Sequence, residues 1–245
     1  MEELYTTWKA IGVAGGDLSF FQDFFVKFYQ AFIEGDRWLQ YLNGVKTTLL
    51  VTALALILGI VLGVLVAMLR TAHDQQRPGH RNPILAVLNL ICKIYVTVIR
   101  GTPMMVQLLI MGFVIFASSR NFTMIGTLTL GINSGAYVSE IVRGGLMSVD
   151  KGQMEAGRSL GLNYMTTMRF IVIPQAVKAI LPALGNEFII LLKDTSLITV
   201  IGGKELLYAA QGIYNRTYEQ MFPLIGTAAL YLVLVIILSW LLGKL

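Results

Sequence analysis

Residues 47–69 read TTLLVTALALILGIVLGVLVAML, 23 positions without a charge between Lys46 and Arg70. At 1.5 Å per residue, a helix of this length reaches about 34 Å and crosses a hydrocarbon core of roughly 30 Å. Lipid offers no partner for backbone N–H and C=O groups, so a lone spanning segment must be helical. This stretch therefore sets the class as a membrane-spanning, all-α chain. The composition of the 245 residues agrees: 56% are apolar and 13% charged, where a soluble domain carries about 25% charged residues. Such a composition excludes disorder, collagen-like repeats and coiled coils, which need polar, Gly-periodic or charged-heptad sequences. One cysteine, Cys92, and two histidines, His73 and His80, argue against a disulfide framework, a metal site and redox chemistry. The net charge of +5 would point to nucleic acid in a soluble protein. Here the basic residues are first counted against membrane orientation, and no nucleic-acid partner is expected.

Outward from this segment, uncharged runs extend over residues 102–119, 121–139 and 220–243. Two further apolar stretches, 84–99 and 170–203, are interrupted by Lys93 in the first and by Lys178, Glu187, Lys193 and Asp194 in the second. Residues 20–33, FFQDFFVKFYQAFI, place Phe21, Phe24, Phe25, Phe28 and Phe32 at helical spacing; this is an interfacial amphipathic helix, too short and too charged to span. No cleavable signal is read at the N-terminus. Arg70, Arg77 and Arg81 in one loop, and Arg143, Lys151, Arg158 and Arg169 in another, contrast with residues 1–43, which hold three basic and six acidic residues. Both basic loops belong in the cytoplasm. The chain between them must then cross an even number of times, which makes residues 84–119 one crossing, broken at Arg100-Gly101-Thr102-Pro103. Five spans follow, with the N-terminus outside and the C-terminus, ending at Leu245, inside. Residues 1–40 form an external or interfacial segment, and residues 41–245 a single membrane domain whose only linker-like stretch is residues 73–82.

The most informative segment follows the third span. Glu155-Ala156-Gly157 precede Gly161, and Ile171-Val172-Ile173-Pro174 follow it. Residues 152–162 can form a short exposed helix, with Gly161 as a left-handed stop and Pro174 bending the chain back toward the membrane. A short helix so placed can act as a lever. By itself an acidic-small-small triplet is an ordinary surface turn; the added spacing of Gly161 and Pro174 raises it above that.

This pattern resembles the EAA loop of binding-protein-dependent ABC importer permeases, with Gly157 for the second Ala and Ile173 for Leu. Further matches resemble the subgroup that imports polar amino acids of the histidine, glutamine and arginine type: Asn43-Gly44, Thr47-Thr48-Leu49, Arg100-Gly101-Thr102-Pro103 with Gln107, Asn133 to Tyr137 with Glu140 and Arg143-Gly144-Gly145, and Lys193 to Leu197. The resemblance covers about residues 40–242. It implies a type I ABC importer transmembrane domain in a bacterial cytoplasmic membrane, with residues 150–174 as the coupling loop. It further implies two ATPase subunits, an external amino-acid-binding protein and a second permease subunit, identical or paralogous. Glu155, Ala156, Gly157, Gly161 and Pro174 would form the ATPase-coupling element, Glu155 meeting basic groups and the small residues permitting close approach. ATP and magnesium would be held by the ATPase partner; Gly203-Lys204 is followed by Glu205 and preceded by Ile198 where a phosphate loop needs Gly, so this chain binds no nucleotide cofactor and is not an enzyme.

Ionisable groups at membrane depth are functional candidates. Gln107, Asn133, Ser134, Tyr137, Glu140, Glu187 and Asp194 form the pool for a substrate path, since a zwitterion needs an acceptor for its ammonium and donors for its carboxylate. Glu140 and Arg143 are three apart and can also pair with each other, and Arg100 can fix the helix break by binding freed carbonyls. Two other functions remain open at this point: a secondary carrier or channel in which Glu140, Glu187 and Asp194 relay ions, and a scaffold whose loop only recruits a partner.

Overall fold

The computed structural model describes residues 1–76 and 82–244. Arg77, His80 and Arg81, part of the charge and metal-ligand tallies above, and Leu245 lie outside the described residues. Helix α1 (Glu2–Val13) leads into α2 (Phe20–Phe32), then α3 (Arg37–Asp74), α4 (Pro83–Gly101) and α5 (Met104–Ile110), which widens into one π-turn over Met111–Ile115. Then follow α6 (Phe122–Met147), α7 (Lys151–Ser159), α8 (Tyr164–Thr167), a second π-turn at Met168–Val172, and α9 (Ile173–Asp194), extended as a tighter 3-10 coil over Thr195–Ile201. The described chain closes with α10 (Leu206–Thr217) and α11 (Met221–Leu242).

Among the described residues four helical runs can cross a membrane by length and composition: Glu34–Asp74, Pro83–Gly101, Tyr164–Ile201 and Met221–Leu242. Helix α6 has the length but not the apolarity, because it carries Asn133, Ser134, Ser139, Glu140 and Arg143 among glycines. The reason is its position. It lies against α3 along its course and also packs on α4, α5 and α9, so protein and not lipid surrounds most of it. Leu50, Leu54, Ile57 and Val61 on α3, and Leu232, Val233, Ile236 and Ile237 on α11, are exposed apolar side chains; a bilayer is the solvent that suits them.

Glycine lets α3 and α6 approach closely. A methyl group in place of the Gly63 hydrogen would lie 2.6 Å from Val138 Cβ and 2.9 Å from the Ser139 nitrogen, and one at Gly59 would lie 2.8 Å from Ser134 Oγ. Gly131 and Gly135 return the arrangement from α6 against Leu58 and Leu62, giving the spacing of small residues that permits intimate packing in lipid. The central apolar cluster, with Val51, Ala55, Leu108, Leu130, Leu191 and Ile198, joins α3, α5, α6, α9 and the 3-10 coil.

Helix α4 ends at Thr102, which is extended (φ −118°, ψ 145°) in front of Pro103, as expected for a residue preceding proline. Pro174 behaves otherwise than expected. Residues 164–201 form one helical run, with Pro174 in the first turn of α9. The wide turn at Met168–Val172 relieves the clash between the proline ring and the preceding turn and absorbs its missing donor. The reversal is made earlier, at Gly161, where φ is +82° and the Leu162 N–H reaches back to Gly157 O at 3.1 Å, a left-handed glycine stop.

The amphipathic α2 is present, and α1, which sequence periodicity did not single out, pairs with it. Tyr5 stacks on Tyr29 at 4.3 Å, and the Tyr5 hydroxyl donates to Glu34 Oε1 at 2.6 Å. Phe24 and Phe28 place their rings edge-on to Phe222 at the start of α11, so the hairpin is docked on the helical bundle.

Candidate functional site

Helix α7 begins at an Asp150 cap, whose carboxylate accepts from the Gly152 N–H at 2.6 Å, and stops at the Gly161 turn. Glu155 and Ala156 are exposed, while Gly157 is buried. The small size of Gly157 has an internal cause: a methyl group there would lie 2.5 Å from Thr167 Cγ2 and 3.2 Å from Ile171 Cδ1. It seats α7 against α8 and the π-turn, so of the small residues only Ala156 remains outward beside Glu155. On the other side α7 joins α6, whose Gly145 lets Ile180 of α9 approach; a methyl group would lie 2.3 Å from its Cγ1. The short helix is therefore attached to both α6 and α9.

Within the bundle the sequence candidates form separate groups. Gln107, at the start of α5, donates through Nε2 to the Ile99 carbonyl (2.7 Å) and to the Thr102 hydroxyl (2.8 Å), and its Oε1 accepts from Asn133 Nδ2 at 3.0 Å. Gln107, and not Arg100, thus satisfies the carbonyl freed at the break. The reason is reach: Gln107 stands one turn past Pro103, facing back across the gap. The Arg100 guanidinium instead lies 5.1 Å from the Tyr137 ring centre, and both side chains are exposed.

Ser134 donates to Glu187 Oε1 at 2.7 Å, a buried contact between α6 and α9. Glu140 and Arg143 do not pair with each other. Each turns to α3: Glu140 pairs with Arg70, and Arg143 Nη1 lies 2.9 Å from Asp74 Oδ2. The approach of α3 allowed by its glycines brings acid and base opposite each other across the helices. Asp194, at the end of α9, is partly buried and has no ion pair among the described residues.

Sequence reasoning missed Glu205. It is 1% exposed, and its carboxylate accepts from the Thr199 hydroxyl (2.6 Å), the Tyr208 N–H (2.7 Å) and the Tyr231 hydroxyl (2.6 Å). This side chain caps α10 and ties it to the 3-10 coil and to α11; an acidic residue directly before a helical pattern is the one signal that marks it. The neighbouring Leu206 N–H donates to Thr48 Oγ1 at 3.2 Å. A methyl group at Gly44 would lie 2.8 Å from Leu206 Cα, so Gly44 and Thr48 are explained by contact with α10. Among the described residues no cluster of His, Cys, Asp or Glu could hold a metal ion.

Comparison with known proteins places this architecture. Residues 84–245 match the family model described as binding-protein-dependent transport system inner membrane component. A Rickettsia typhi protein provisionally named a glutamine transport system permease is 34% identical over 220 residues, covering 89% of this chain and 93% of that one. The glutamine transport system permease of Escherichia coli K12 is 38% identical over 166 residues, covering 65% and 74%. A crystal structure of an amino acid ABC transporter with histidines superposes with a TM-score of 0.75 at 40% identity, covering 84% of this chain and 92% of the other. An inward-facing methionine ABC transporter shares the fold at 20% identity, with a TM-score of 0.69.

Proposed function

The chain belongs to the binding-protein-dependent transport system inner membrane components, and from that premise we propose that it imports a polar amino acid handed over by an external binding protein. As a family member it is a transporter component and not an enzyme; ATP is hydrolysed by separate subunits. Helix α7 is the coupling helix in this proposal, and a second permease subunit completes the path. The observation that carries it is the short exposed helix joined to α6 and α9, presenting Glu155 and Ala156 outward. The names of the relatives, glutamine permeases and an amino acid transporter holding histidines, support the substrate class.

The chain spans five times in this reading, through α3, α4 with α5, α6, the run from α8 to the 3-10 coil, and α11. The N-terminus is outside, residues 1–40 lie at the external surface, and α7 is cytoplasmic. The distribution of arginines and lysines supports the orientation. Arg100 and Tyr137 are exposed, and the spans of this reading put them within the bilayer. A guanidinium facing lipid there would cost roughly 2.5–3.5 kcal/mol or more, which supports a water-filled path or a partner subunit against this face. Gln107, Asn133, Ser134, Tyr137, Glu187 and Asp194 are the path groups of the proposal. Glu140 is set aside because Arg70 engages it. Of the three carboxylates of a relay, Glu140 is engaged by Arg70 and Glu187 by Ser134, so the carrier reading gains no support.

The test is reconstitution with the ATPase subunits and the binding protein. ATP-dependent uptake is expected, with Glu155→Lys assembling but abolishing stimulation of ATP hydrolysis by the loaded binding protein. Full uptake by this chain without an ATPase partner would refute the proposal.

A further inference from the structure

At the end of α3 and α6 nearest α7, two ion pairs cross between the helices. Arg70 meets Glu140, and one turn farther Asp74 meets Arg143 at 2.9 Å. The residues are four apart on α3 and three apart on α6, so the pairs stack like rungs. His73, between the two α3 residues, lies 3.1 Å from Asn89 of α4, which brings a third helix into the joint. Partly exposed pairs such as these add little to stability. What two stacked rungs fix is register, because sliding one helix past the other by a turn, about 5.4 Å, would break both.

The space below the rungs matters as well. A cavity of about 820 Å³, lined by Thr71, Asp74, Arg143, Lys151, Met154 and Arg158 among others, lies between the end of α3 and α7. Helix α7 packs on α8 and the π-turn, and the Tyr164 hydroxyl of α8 donates to Gln75 at the end of α3. The chain connection from α7 to α6, three residues long, leads across the rungs.

We propose that Arg70, Asp74, Glu140 and Arg143 are positioning residues that hold α3 in register with α6, so that displacement of α7 moves both helices as one body. This rests on the reading of α7 as the coupling helix. Helix α3 in turn contacts α10 and begins beside the α1–α2 hairpin, so the joint would carry the stroke to the opposite end of the molecule.

The experiment uses the complete complex in proteoliposomes, with a labelled mixture of the twenty amino acids as probe, and reads amino acid moved per ATP hydrolysed. Arg70→Glu is expected to assemble, to keep basal hydrolysis within about twofold and to lower the transport ratio about tenfold, inside the 5–150-fold span of typical intersite coupling. Arg70→Glu combined with Glu140→Arg is expected to restore the ratio. An unchanged ratio in the single variant, or no recovery in the assembled double variant, overturns the proposal. Should Arg70→Glu fail to assemble, Asp74→Asn removes the second rung without introducing a charge; a fall of about threefold or more supports the joint, and none overturns it. A wild-type complex that moves amino acids without ATP would instead remove the coupling reading beneath it, an outcome distinct from both.

Discussion

Gly63 and Gly157 lie at contacts where a single methyl group has nowhere to go. At Gly63 the obstacle includes the Ser139 backbone nitrogen, 2.9 Å from the added carbon, and backbone cannot rotate away as a side chain can. Gly63→Ala is expected to destabilise the protein by about 1–3 kcal/mol, the usual cost of overpacking, seen as a lower thermal midpoint in detergent. Gly144, next to a helix end with open space around it, is the control; Gly144→Ala is expected to change stability by less than about 1 kcal/mol. Glu205 is the other residue whose loss is severe. Glu205→Ala strands two hydroxyls and one N–H in a buried site, at about 1–3 kcal/mol for each group left unsatisfied, and is expected to show as early proteolysis at α10.

At the scale of elements, the α1–α2 hairpin is held to the start of α3 by charge as well as by aromatic packing. Lys9 Nζ lies 2.5 Å from Glu34 Oε1, and Arg37 lies 2.9 Å from Glu34 Oε2. The hydrogen bond to Glu34 raises the Lys9 pKa above its ordinary 10.5. A raised folded-state value means that this contribution is complete below pH 10.5 and is lost as pH climbs through the higher folded value. Amide exchange or proteolysis within residues 2–13 is therefore expected to rise selectively above that pH, and Glu34→Gln to remove the dependence. The break between α4 and α5 has its own fastening. Gln107→Leu leaves the Ile99 carbonyl without its donor and is expected to cost about 1–3 kcal/mol, with the loss recorded in the same thermal assay.

At the scale of the whole molecule, α3, α4, α5 and α11 all present exposed apolar side chains, so membranes carrying the protein are expected to retain it through an alkaline carbonate wash. Orientation is tested through the single cysteine, Cys92, which is buried. In a Cys92→Ser background, a cysteine at exposed Ser159 is expected to react with an impermeant maleimide only from the cytoplasmic side. Labelling from outside would overturn both the orientation and the coupling role of α7.

Much of this was legible because membranes impose strict rules on sequence. Residues 47–69 had to be a spanning helix, Pro103 had to end α4, and Gly161 marked the left-handed stop, since each follows from local geometry or backbone hydrogen bonding. Gln107, Asn133, Ser134 and Glu187 stood out as polar groups in apolar runs. The bonds joining Gln107 to Asn133 and Ser134 to Glu187 did not, because they link residues 26 and 53 positions apart. Three matters belonged to tertiary structure alone. Glu140 and Arg143 reach across to α3 instead of to each other because glycines bring that helix within range. Pro174 continues a helix because a wide turn ahead of it takes up the strain. Gly157 faces Thr167 and Ile171, internal neighbours that no local pattern names. Spacing along a chain fixes which residues share a face; only the packed fold decides what that face meets.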